Sequence, residues 1–152
     1  AGGGPHRPLF EAYAKELGLS ERVLFTGFIP RAELVDYYRA ADLFVFASKT
    51  ETQGLVLMEA MAAGLPAVAV RAMGVTDVVF DGETGVLVPE DEEIFAQTVS
   101  ALLQDPRRRE QLRAGAHHKA REMSIQHSVT RLIEIFEGLQ MGKHPAQKIE
   151  AR

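Results

Sequence analysis

Two short runs constrain this chain more than anything else in it. DLFVFA, Asp42 to Ala47, is apolar after its first residue, and AVAV, Ala67 to Val70, is apolar throughout. Both are too short to be helices and neither alternates with polar residues, so each reads as a strand covered on both faces. Segments with apolar residues at helical spacing separate them. Strands alternating with helices predict an α/β fold built on a parallel sheet.

The other elements follow from local signals. Leu9 to Leu17 has helical periodicity and Gly18 stops it, while RVLFTG, Arg22 to Gly27, reads as a short strand entering a glycine turn. PRAELVDYYRAA opens with Pro30, a residue favoured in a first helical turn. A helix is expected from about Gly54 to Ala63, ended by Gly64 and Pro66, and a short one from Val75 to Phe80. DGETG, from Asp81, marks a tight turn before VLVP, and the acidic EDEE, Glu90 to Glu93, sits where a helix start favours negative charge. DPRRREQLRAGAHHKARE and SIQHSVTRLIEIFEGL complete the helices. Residues 1–139 form one domain in this reading, and 140–152 are a polar tail.

With 152 residues, 46% of them hydrophobic, the chain can bury one ordinary core. A net charge of -4 offers no basic field to nucleic acid, and the lack of cysteine excludes disulfides and thiolate metal sites. No apolar run approaches the ~18 residues of a membrane span and nothing at the start resembles a signal peptide, so a cytoplasmic protein is expected. His117 and His118 are adjacent, face different sides of a helix and have no third ligand in register, so no metal site is expected.

SKTETQGLVLMEAMAAGLPAVAV, Ser48 to Val70, holds two carboxylates at a telling spacing: Glu51 before an apolar helix and Glu59 inside it. Burying an unpaired charge is costly, so something polar is expected to meet them.

Four ordered blocks, TETQGLVLMEAMAAGLPAVAV, VLFTGFIP, YYRAADLFVFAS and VVFDGETGVLVP, resemble the carboxyl-terminal, donor-binding domain of the retaining GT4 family of GT-B glycosyltransferases. The likeness runs from about Gly2 to Leu139, and Glu51 with Glu59 supplies the family's Glu-x7-Glu signature. It implies a Rossmann-like parallel sheet with helices on both faces, the nucleotide-sugar-binding half of the GT-B fold. It also implies parts lying outside this sequence. These are the domain's first strand-helix unit with its Gly-Arg pair and lysine, its second strand, and an amino-terminal acceptor-binding domain. The fragment alone is then expected to be inactive. In a sheet of order 3-2-1-4-5-6 the edge at Asp42 to Ala47 would be left open, so it would pair with a second copy as a homodimer or take VLF as a neighbour.

Sheets of this kind bind ligands at the carboxyl ends of their strands, which puts SKTETQGL in the crevice. With Thr52 as helix cap, the amides of Gln53, Gly54 and Leu55 would be free for a diphosphate, and Gly54 would let it approach. Eight residues, part loop and part helix, separate the carboxylates by roughly 10 Å. The resemblance makes Glu51 the catalytic residue, accepting hydrogen bonds from the transferred sugar, and gives Glu59 the ribose diol. It places the base against Gly27, Phe28 and Ile29, near Gly4 of the AGGGP turn. A UDP-sugar is the default donor, with no cofactor and no metal, and the protein stabilises charge on the leaving diphosphate.

Each of these residues also has a plain reading. Glu51 could be a solvated loop acid, Glu59 a salt-bridged helix acid, and AGGGP a generic turn, since it lacks the G-x-G-x-x-G spacing. Arg107, Arg108 and Arg109 read as a solvated charge run; Arg71 and Lys49 read as surface cations with phosphates within reach. A hexosyltransferase, active as part of a longer protein, is the leading function. The alternatives are a non-catalytic nucleotide-sugar-binding module and a nucleotide-sugar epimerase, the second disfavoured by the Glu-x7-Glu block. Phrase-level likeness to diacylglycerol glucosyltransferases points to a lipid acceptor and a full-length enzyme peripheral to the membrane.

Overall fold

The computed structural model describes residues 3–140, so the polar tail beyond Gln140 lies outside the described residues. The chain divides into two compact units, Ala1–Ala40 and Ala41–Arg152. In the first, helices α1 (Arg7–Glu16) and α2 (Arg31–Ala40) flank an extended stretch. The strand expected at RVLFTG does not form. Its polar groups are spent locally: the Arg22 and Val23 amides donate back to the Leu19 carbonyl, and the Phe25 carbonyl accepts from the Arg7 guanidinium at 2.9 Å. A strand needs a neighbour to take such groups in a ladder.

The second unit holds the sheet. Strands β1 (Phe44–Phe46), β2 (Ala67–Val70) and β3 (Gly85–Val88) lie parallel in the order β1-β2-β3, with Phe44 opposite Ala67 and Ala67 opposite Gly85. Because successive side chains of a strand point to opposite faces, AVAV serves two cores at once. Ala67 and Ala69 meet Leu57 and Met61 of α3 (Leu55–Ala62) together with Val75, Val78 and Val79. Val68 and Val70 meet Leu102 of α4 (Glu92–Gln104) and Leu112 of α5 (Pro106–Glu122). All four residues of β2 are buried, as an uninterrupted apolar run requires.

The other expected two-faced strand is different. β1 spans only three residues, and Val45 is 52% exposed. It lies in register with Val68, on the face where α4 packs against β2 and β3, so one side of this edge strand stays uncovered. Among the described residues the sheet has no fourth strand, and VLF does not close it.

Two further expectations are corrected. Val75 to Phe80 forms turns rather than a helix: after Gly74, at φ of 80°, the amides of Val78 and Val79 both return to the Val75 carbonyl and close a single turn. The arginine run is not simply solvated. Arg108 donates to the Gly82 carbonyl at 2.8 Å, and Arg109 donates to the Leu102 carbonyl at 2.7 Å, near the unsatisfied end of α4. Asp91 and Asp105 cap α4 and α5, accepting from the amides of Ile94 and Arg108. Helix α6 (Ile125–Gln140) packs on α5 and leaves Ile125, Leu132, Ile133 and Phe136 exposed. Among the described residues no helix is long and apolar enough to cross a membrane.

Leu57 is fully buried between α3 and the sheet. Leu57→Ala is expected to cost about 2–5 kcal/mol in urea unfolding, whereas Val45→Thr on the bare side of β1 should stay within about 0.5 kcal/mol.

Candidate functional site

Charged residues follow each of the three strands at its carboxyl end. Lys49 and Glu51 follow β1, Arg71 follows β2, and Glu90 follows β3. The sheet is short there, and the Arg71 amide still donates to the Val88 carbonyl. Helix α3 begins from the same edge, with its amino terminus beside Glu51.

Glu51 sets the geometry. Its Oε1 accepts three backbone amides, from Thr52 at 3.0 Å, Gln53 at 2.9 Å and Gly54 at 2.8 Å. The bonds from Gln53 and Gly54 hold its carboxyl below the usual glutamate range, against desolvation in the other direction, with the Thr52 bond adding a lesser lowering. Thr52 therefore is not the helix cap. The N-cap is Gly54, at φ of 67° and without a side-chain cap bond, and the carboxylate of Glu51 binds the amides just ahead of the helix and that of Gly54 itself, leaving the first helical amides uncapped by a side chain.

This corrects the expected phosphate cradle. The amides of Gln53 and Gly54 are already engaged by Glu51, whereas those of Leu55 and Val56, first in α3, have no carbonyl four residues back within the helix. Leu55 itself is 57% exposed. Glu59, one turn further along, shares its side of α3 and is half-buried, while Leu57, Ala60 and Met61 fill the opposite side. Loop acid and helix acid thus stand at one edge of the sheet, with the free amides of the first helical turn between them in sequence.

The cations there are paired. Lys49 bonds to Glu90, and Arg71 to Asp81 at 2.9 Å, in exposed contacts that contribute little to stability. Asp81 also accepts the Leu87 amide with its other oxygen at 2.9 Å.

In the first unit, Gly4 and residues 23–26 line one open groove of about 420 Å³ with His6, Arg7 and Phe10. The Phe28 ring is 83% exposed and lies so close to Gly3 that a Cβ there would sit 2.5 Å from it. Gly27, at φ of 69°, and the half-buried Ile29 flank that ring in sequence.

The sequence profile of the family described as glycosyl transferases group 1 matches residues 1–119. The chain belongs to this family. The D-inositol 3-phosphate glycosyltransferase of Thermomonospora curvata is 40% identical over 140 residues, covering 91% of this chain and 32% of that protein. The carboxyl-terminal domain of a group 1 family protein, LpcC of Francisella tularensis, is 30% identical with a TM-score of 0.67, over 74% of this chain and 59% of that one. HepE of Anabaena, solved in complex with UDP, is 29% identical with a TM-score of 0.73, over 88% of this chain and 36% of that one. The chain thus spans about a third of the relatives it matches, and its fold is that of part of the GT-B fold. Family membership sets the epimerase aside.

The Asp81 anchor and the turn at Gly74 were not singled out in the sequence. Their only signals there are an aspartate opening a glycine turn and a glycine ahead of three valines.

A carboxyl whose pKa is depressed by folding contributes stability above its ordinary value, and that contribution is lost as pH falls through the depressed one. The difference in unfolding free energy between the wild type and Glu51→Gln should therefore be complete above about pH 4.3 and shrink in more acid solution. A difference independent of pH would mean that the three amides do not hold an ionised Glu51.

Proposed function

We propose that this chain is the donor-binding half of a GT4-type retaining hexosyltransferase and that it binds a nucleoside-diphosphate sugar, with UDP as the nucleotide. One observation carries the reading: Glu51 is fixed by three amides through one oxygen, at the strand ends where such sheets bind ligands. Its second oxygen can take a sugar hydroxyl, and an ionised carboxylate accepts only, so it selects donors. The amides of Leu55 and Val56 serve the diphosphate at the positive end of α3. Glu59 takes the ribose diol. HepE's UDP supports the choice of nucleotide.

The chemistry is retention with the acceptor entering on the face that the diphosphate leaves, so the protein's contribution is to stabilise charge on the leaving group and to fix the sugar. The acceptor is bound by the rest of a longer protein. The name of the Thermomonospora relative supports a polyol phosphate as acceptor, ahead of the lipid suggested by phrase similarity. The site calls for no metal, and the setting is cytoplasmic. The open edge of β1 is a surface on which a second copy of the isolated chain could pair.

In the intact enzyme Glu51→Ala should lower kcat about 100-fold with a small change in donor KM, because sugar orientation matters most in the transition state. Glu59→Ala should instead raise donor KM about 10-fold or more, the loss of charge-assisted bonds to a diol. Arg107→Ala should change neither, and a donor affinity that followed Arg107 rather than Glu59 would place the site elsewhere.

A further inference from the structure

The loop that carries Glu51 does not hold its shape alone. Three consecutive amides converge on one carboxylate oxygen only if the backbone from Glu51 to Gly54 curls tightly, and Gly54 takes φ of 67° to do so. Against that curl lies the turn after β2. A Cβ on Gly74 would sit 2.3 Å from the Glu51 carbonyl oxygen, 2.8 Å from its carbon and 2.9 Å from the Thr52 carbonyl carbon. In return, a Cβ on Gly54 would sit 2.6 Å from Val78 Cγ2 and 3.2 Å from the Gly74 carbonyl oxygen. Two glycines at positive φ, twenty residues apart, thus let two backbones meet without side chains between them.

The turn is rigid enough to act as a support. Val75, Val78 and Val79 are buried in the core beneath α3, and bonds from Val75 and Thr76 to the Ala72 carbonyl close it. Just before it the Arg71 amide is tied to β3 and the Arg71 guanidinium to Asp81. The support is therefore part of the sheet rather than a mobile lid.

We infer that Gly74 is a positioning residue for Glu51: by bringing bare backbone against the Glu51 carbonyl, it fixes the curl that seats the carboxylate on the amides of Thr52, Gln53 and Gly54. The role for catalysis rests on reading Glu51 as the group that orients the donor sugar; the mechanical claim does not. Alanine at position 74 must displace backbone, since the obstructing atoms are not the far end of a flexible side chain. The nearest thing that can move is the Glu51–Thr52 peptide.

The test has two arms. In this chain without ligand, side-chain carboxyl NMR follows the titration of Glu51 while amide spectra follow Thr52, Gln53 and Gly54. Gly74→Ala should raise the Glu51 pKa toward the ordinary glutamate value and shift all three amides. Gly115→Ala is the control, because its Cβ would lie 2.2 Å from the Glu83 carbonyl oxygen, an equally severe backbone collision away from Glu51. It should cost stability and leave the Glu51 titration unchanged. Val78→Ala, which removes the methyl beneath Gly54, gives a milder second probe should Gly74→Ala fail to fold, and it should move the Glu51 titration in the same direction. A Glu51 titration that stays at the wild-type value in the folded Gly74→Ala chain, or in Val78→Ala where only that variant folds, overturns the inference.

In the intact enzyme, Gly74→Ala should lower kcat by about 10- to 100-fold with donor KM little changed, and should add little to Glu51→Ala. Full activity of Glu51→Ala alongside a moved titration in Gly74→Ala would sink the donor-sugar role and leave the positioning intact. An unmoved titration would sink the positioning whatever the kinetics.

Discussion

The contact on which the candidate site depends is the grip of three backbone amides on one oxygen of Glu51. It gathers the amides leading into α3 while leaving those of Leu55 and Val56 free, it favours the ionised acid, and it leaves the second oxygen turned to other uses. The cost is conformational: a tight curl with a left-handed glycine, which only a closely fitted neighbour can maintain. That neighbour is the turn following β2, so the position of the acid is tied through backbone contacts to the middle strand of the sheet.

The same constraint explains the division of labour along AVAV. Small Ala67 and Ala69 let α3 approach its face of the sheet, and the larger Val68 and Val70 fill the space under α4 and α5. Leu57, Ala60 and Met61 bury one side of α3, which turns Leu55 and Glu59 outward at the strand ends. A helix anchored this way presents its first-turn amides and its half-buried acid from a rigid base, as orientation of a flexible donor requires.

Much of this was legible from the sequence because the signals were local. A continuous apolar run gave β2, the acidic EDEE gave the start of α4, and DPRRREQLRAGAHHKARE gave α5. What failed depended on partners. VLF has strand composition but spends its polar groups within its own unit, and β1 is covered on one face because its neighbour helix covers β2 and β3 instead. Thr52 has the chemistry of a cap, yet a longer acid one residue earlier reached the amides first. Gly74 was not singled out from the sequence; its role emerges only from the Glu51–Thr52 backbone it meets.

The central claim is that α3 and the Glu51 loop receive a nucleotide sugar, and differential amide shift mapping of this chain tests it most directly. Titration with UDP should perturb Leu55, Val56 and Glu59, and UDP-glucose should add perturbations at Thr52, Gln53 and Gly54 as the hexose reaches Glu51. Saturable shifts confined to α5 or α6, or identical maps for UDP and UDP-glucose, would contradict it.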